Sequence, residues 1–358
     1  MNGYDVVVVG GGIGGLTVVA LLSARGMNVC LLERQSQVGG CIGRVEFSGY
    51  EFEPGMGLYT SFGRDEIYSR VFSQLPVAAP EVALLQSPYI LRRVDGSDTS
   101  VSTAALYSIV GGPASVAERL AESIKVSGGK VRLDTPVLRL AYDESGRAIG
   151  IDLLSGERVF ARKAIVSNLT IWDTYGKLVG LNRSPPEIKK QLNTLQGTGV
   201  YVIYAVMEET AVARLPALRM RVEDSDGEFT LVVAPRSNGK RPVTFTTKTE
   251  VYSWFTYQSS EEDYDEWDQA ALEQFWKRVH AALPELRGDI EIIETANPRT
   301  YYDQTRRKLG MVLGIEGQPI RSHETSLPNL FMIGDTVSPA ASLDSIVESA
   351  ARLTERFR

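Results

Sequence analysis

The apolar run YDVVVV passes at Val9 directly into GGGIGGL, and this junction constrains the fold more than any other feature of the chain. Residues 4–9 suit a strand buried on both faces of a parallel sheet. Gly10, Gly12 and Gly15 stand at GxGxxG spacing, with Ile13 and Gly14 between them, and an apolar-periodic segment continues to Arg25. Strand, tight turn and helix in that order bring bare backbone amides to the positive end of a helix, where a pyrophosphate binds. Gly26 then stops the helix, and NVCLLE (residues 28–33) predicts a second buried strand. Glu33 lies 18 residues after Gly15. A carboxylate at that position accepts hydrogen bonds from ribose hydroxyls and repels a 2′-phosphate.

Two further elements select FAD over NAD. VGGCIGR carries Gly39 and Gly40, a second place where backbone can approach the same pyrophosphate, and NLFMIGD ends a buried strand near the other end of the sequence with Gly334 and Asp335. A carboxylate there can hydrogen-bond the ribitol of a flavin. No second strand-to-helix GxGxxG follows the first, since Gly111/Gly112 and Gly128/Gly129 only flank a helix. One dinucleotide site is expected, with no tightly bound NADH or NADPH.

Composition narrows the partners. The 358 residues, 43% of them apolar, can bury two domains' worth of core, and a net charge of −6 without a basic run argues against nucleic acid. Cys30 and Cys41 are the two cysteines and His280 and His323 stand far apart, which leaves no disulfide framework and no metal-type spacing. A reducing, cytoplasmic setting is the expectation, with peripheral membrane contact left open and oligomeric state undetermined.

Along the chain, residues 112–129 predict an amphipathic helix starting at Pro113, with Val116, Leu120 and Ile124 on its inner face. Three strand-like runs follow, at 137–142, 148–153 and 158–161, joined by DESGR and SGE turns; AIVSN (164–168) reads as a separate strand returning to the first sheet. Aromatic runs GVYVIYAV, FTLVVA and VYSWFTY then predict strands before a long helix over about 262–283. The predicted fold is α/β: a Rossmann-type FAD-binding domain, discontinuous in sequence (1–63, 111–168 and 298–358), with an inserted mixed α/β substrate domain (64–110 and 169–297).

With these motifs in place the chain resembles the flavin-dependent phytoene desaturase, carotenoid isomerase and retinol saturase family, within the amine-oxidase-like FAD superfamily. VVVVGGGIGGL, LERQSQVGG, GYEFEPG, GGPASVAERLAESIKVSGGKVRLDTPVLRL, AIVSNLTIWDTYGKL, NPRTYYDQTRRKLGMVLG and LPNLFMIGDTVSPAASLDSIVESA carry the resemblance, over about half the chain. It implies that Val137 presents its backbone to the adenine, that Asp335 holds the ribitol, and that Gly55 and Met56 lie near the flavin ring. Arg34, Cys41, Asn168 and Ser342 complete the candidate cofactor-site set.

Departures from the family are specific. Pro339 is followed by Ala340, Ala341 and Ser342 where relatives are glycine-rich, and Cys41 stands where relatives often have Arg or Ser. The segment between Asp65 and Ile109 is short, implying a reduced lid over the substrate. The resemblance implies hydride transfer between flavin and an apolar polyene, prenyl or alkyl substrate; it identifies no catalytic residue beyond the flavin. A flavin amine oxidase and a non-catalytic prenyl-binding protein on the same scaffold are the alternatives.

Overall fold

The structure is a computed structural model that describes residues 3–55, 57, 59–101, 105–256, 261–286, 288, 290–312, 315–316, 322–338 and 342–357. Its first sheet is mixed, with a parallel part in the order Lys130–Arg132, Val29–Leu32, Tyr4–Val9, Arg158–Ser167, Leu330–Met332 and an antiparallel extension through Ala148–Leu153 and Val137–Tyr142. Both faces are covered, which explains the uninterrupted apolar run at its centre. Val6 and Val8 pack under the helices Ile13–Ala24, Ala114–Val126 and Leu343–Thr354, while Val7 and Val9 face a second cluster with Leu140, Ile151, Ile171 and Tyr175.

The runs at 158–161 and 164–168 form a single strand, Arg158–Ser167, rather than two. Its first residues pair antiparallel with Ala148–Leu153, and the rest run parallel to Tyr4–Val9 with an irregularity opposite Arg162 and Lys163. Those two side chains are exposed, so a polar pair at a bulge reads in sequence like a turn.

The second sheet has seven strands in the order Ile290–Ala296, Gly199–Met207, Arg241–Thr249, Gly227–Val233, Arg219–Asp224, Tyr89–Arg92, Asp98–Ser100. Only Arg219–Asp224 with Tyr89–Arg92 is a parallel pairing. Helix Glu261–Ala282 covers one face through Phe275 and Val279, against Ile203, Leu231 and Phe245. VYSWFTY is not the strand its aromatic content suggests: Ser253–Thr256 is a helical turn, and Trp254 stacks on Tyr201 with ring centroids 5.7 Å apart inside this core.

On the opposite face Val200, Val202, Tyr204 and Val206 meet Phe47 and Phe52. These belong to the hairpin Val45–Phe47/Tyr50–Phe52, which follows directly on the glycine pair Gly39–Gly40. Its Ser48–Gly49 turn has positive φ at both residues, the backbone twist that suits a two-residue hairpin. Beyond the hairpin, Glu53 and Arg219 form a buried ion pair at 2.8 Å, and Arg219 Nε also donates to the Gly57 carbonyl. The segment after the glycine pair is thereby fastened to the second sheet.

Candidate cofactor site

The turn between Val9 and Ile13 is built from backbone. Gly10 has φ +101, and Gly12 caps the helix Ile13–Ala24 with extended backbone and no side-chain cap hydrogen bond. The first-turn amides of that helix are therefore left to a ligand or solvent. A Cβ on Gly15 would collide with the Gly10 carbonyl oxygen, so this glycine serves close packing of helix on strand. Ile13 packs its side chain into the core and offers the site only its backbone.

The glycine pair docks on this turn. Gly39 N–H donates to the Gly11 carbonyl at 2.9 Å, and a Cβ on Gly40 would lie 3.3 Å from the Gly12 Cα. Positive φ at both residues, +115 and +60, makes the approach possible. Asn168 closes the other side: its Nδ2 donates to the Gly10 carbonyl at 3.3 Å, and its amide borders Gly12, Gly14 and Gly334.

Glu33 is fixed by two amides, Oε2 accepting from Gly11 at 2.6 Å and Oε1 from Gln35 at 2.7 Å. Each carboxylate oxygen retains a lone pair for a hydroxyl. Residues 134–137 run beside it, with Thr135 N–H donating to the Glu33 carbonyl at 2.8 Å, and Val137 begins the strand Val137–Tyr142 there. Arg34 turns away and donates to the Gln304 carbonyl at 2.8 Å.

Asp335 follows Gly334 at the end of the strand Leu330–Met332, and its Oδ2 accepts from Arg307 Nη2 at 2.5 Å. Ser342 caps the helix Leu343–Thr354 by accepting from Ser345 N–H at 3.2 Å, so its hydroxyl works within the backbone of that helix. Asp344 in the first turn accepts from the hydroxyls of Thr60 and Ser61 at 2.6 and 2.7 Å. Gly55 is exposed, with φ +75. Met56, Pro339, Ala340 and Ala341 lie outside the described residues.

Cys41 is exposed although many protein atoms lie around it. Desolvation pushes its thiol up, with Arg307 pulling it down and Asp335 pushing it up. Arg307 and Tyr301 lie beside Cys41 and carry no mark in the sequence, and Tyr204 is the neighbour of Tyr301. Arg307 Nε donates to the Met311 carbonyl at 2.7 Å; burial opposes its charge, but Asp335, Cys41 and Asp173 hold its pKa above the ordinary arginine value. Burial also pushes Tyr204 up to about 12 and holds Tyr301 well above the tyrosine norm. In sequence, NPRTYYDQTRRKLGMVLG carries part of the family resemblance, but nothing in its spacing marks Arg307 within it.

The residues fit FAD. An uncapped helix end, a turn with no room for added Cβ atoms at Gly14 and Gly15, and acids at either side have the donors and acceptors that a dinucleotide such as FAD requires. The two histidines lie elsewhere. His280 contacts the Trp276 ring, and His323 Nε2 pairs with Ser349 Oγ at 2.7 Å. No helix among the described residues is long and apolar enough to cross a membrane.

Comparison with known proteins agrees with this geometry. Residues 8–75 match the NAD(P)-binding Rossmann-like domain, and residues 60–356 match the flavin containing amine oxidoreductase family. A chloroplastic prolycopene isomerase of Daucus carota is 23% identical over 273 residues, which cover 69% of this chain and 43% of that protein. A carotenoid 3,4-desaturase of Haloarcula japonica is 34% identical over 102 residues, 28% of this chain and 21% of that one. The matches thus span less than half the length of these relatives. The crystal structure of an oxidoreductase from Methanosarcina mazei shares the fold, with a TM-score of 0.71 at 15% identity, over 98% of this chain and 99% of that one. Because the family match extends from Thr60 through the C-terminal helix, well over half the sequence, the chain belongs to the flavin containing amine oxidoreductases.

Proposed function

We propose that this chain is an FAD-dependent oxidoreductase that desaturates, saturates or isomerises an apolar polyene, prenyl or alkyl substrate. The observation that carries the reading is the convergence, around one helix end, of the Gly10–Gly15 turn, the Gly39–Gly40 pair, Glu33 and Asp335. In this reading the amides of Gly12 to Gly15 bind the pyrophosphate, Glu33 the ribose, the Val137 backbone the adenine and Asp335 the ribitol. Gly39 and Gly40 keep the approach clear, Asn168 braces the turn, and Gly55 and Met56 border the flavin ring. FAD supplies the hydride acceptor or donor; the protein orients the substrate and excludes water.

Residues 1–63, 111–168 and 298–358 form the cofactor unit and 64–110 and 169–297 the substrate unit, a division supported by the pairing of Tyr89–Arg92 with Arg219–Asp224 in the second sheet. Two things support an apolar substrate. The carrot and Haloarcula relatives are named for carotenoids, and the family resemblance of the sequence points to polyene, prenyl or alkyl substrates.

The test is anaerobic mixing of the purified protein, oxidised or photoreduced, with polyenes, prenyl lipids and amines, read by flavin absorbance and product analysis. Change in flavin absorbance or product isomerisation with an apolar chain supports the reading. Bleaching by amines alone replaces it with amine oxidation, and a protein that takes up no FAD replaces it with a non-catalytic prenyl-binding role.

A further inference from the structure

Pyrophosphate adds negative charge to a cradle that already holds two carboxylates, Glu33 and Asp335. The end of helix Ile13–Ala24 offsets this by only about half a unit charge. Arg307 stands where a full cation is needed. Its Nη2 donates to Asp335 Oδ2 and its Nε to the Met311 carbonyl, so the group is held at two points. The helix Pro298–Thr305, just before it, packs on the turn Gly40–Ile42, and Gly40 in turn abuts Gly12. Arg307 therefore lies between the ribitol acid and the glycine pair bordering the phosphate turn. Its remaining guanidinium N–H groups have no partner among the described residues.

We propose that Arg307 is a cofactor-binding residue that holds the Asp335 carboxylate through Nη2 and gives its remaining donors and its charge to the pyrophosphate of FAD. The proposal rests on FAD occupying the cradle described above. Arginine suits both contacts at once, because its planar guanidinium fixes the directions of several donors and keeps some free for a second anion.

The test is titration of apoprotein with FAD, followed by flavin fluorescence at low and high salt, for wild type, R307M, R307Q and R307K. Both neutral variants are expected to raise the Kd by about 10- to 100-fold and to flatten its salt dependence, while R307K recovers part of the loss. A merely structural arginine would leave the salt slope unchanged. Should R307M not fold, R307Q, which keeps a donor toward Asp335 without the charge, carries the same comparison. A folded neutral variant binding FAD within about twofold of wild type, with the wild-type salt slope, overturns the proposal for Arg307 alone. A wild-type protein that takes up no FAD overturns the cofactor reading and this one with it.

Discussion

Glu33 Oε2 accepts the Gly11 amide at 2.6 Å, which ties the acid at the end of the second strand to the turn that follows the first. The residue that would select an unphosphorylated ribose thereby also sets the shape of the pyrophosphate turn. E33Q presents an N–H to one of the two amides that Glu33 now accepts. FAD affinity is expected to fall by about 10- to 100-fold, with a lower melting temperature even in the apoprotein. Titration calorimetry and a thermal melt check both, and an unchanged apoprotein melt would disconnect Glu33 from the turn.

The glycines of the turn divide into two kinds. A methyl on Gly15 runs into the Gly10 carbonyl, whereas one on Gly12 meets only Asn168 Nδ2, at 3.0 Å. G15A should cost about 2 kcal/mol or more of stability and reduce soluble yield. G12V should fold and yet lose FAD, because its branches would occupy the position proposed for the pyrophosphate. Circular dichroism and flavin content separate the two; a G12V protein with normal flavin content would place the phosphate turn elsewhere.

Much of this site is legible in sequence because backbone builds it. Gly10, Gly12, Gly15 and Glu33 are marked by strand-turn-helix order and by spacing, which survive without knowledge of the tertiary fold, whereas the ribitol role expected of Asp335 comes from the family resemblance. Arg307 and Tyr301 are not marked, since they reach Asp335 and Cys41 only after the Pro298–Thr305 helix folds back onto the glycine pair. The long strand Arg158–Ser167 was obscured by its exposed Arg162–Lys163 bulge, and VYSWFTY by aromatic side chains that pack equally well on a helical turn.

The Glu53–Arg219 pair joins the segment after the glycine pair to the second sheet, and both side chains are less than a tenth exposed. Burial pushes the Glu53 carboxyl up and Arg219 offsets this only in part. R219M leaves a buried acid without its partner and should cost about 3–5 kcal/mol, with a smaller loss when combined with E53Q. Urea unfolding of the single and double variants measures the coupling. Additive effects would mean that the pair does not act as a unit.

His323 is held neutral in the fold, its pKa depressed to about 4 by burial and by Arg352 and Arg356. The unfolded chain takes up this proton near the ordinary histidine value, so the contribution is complete above about pH 6.5 and is lost as pH falls toward 4. The loss, discounted for partial exposure, is roughly 1–3 kcal/mol. Melting temperatures of wild type and H323Q should converge as pH falls from 6.5 to 4. Parallel profiles would show that His323 titrates normally.

The flavin content of the purified chain, reconstituted with FAD and compared with D335A, bears most directly on the central claim. The cradle predicts about one FAD per wild-type chain, and an affinity about 10- to 150-fold lower once the Asp335 carboxylate is gone. A wild-type protein that stays colourless after reconstitution, or a D335A variant that binds FAD as tightly as wild type, would contradict the account.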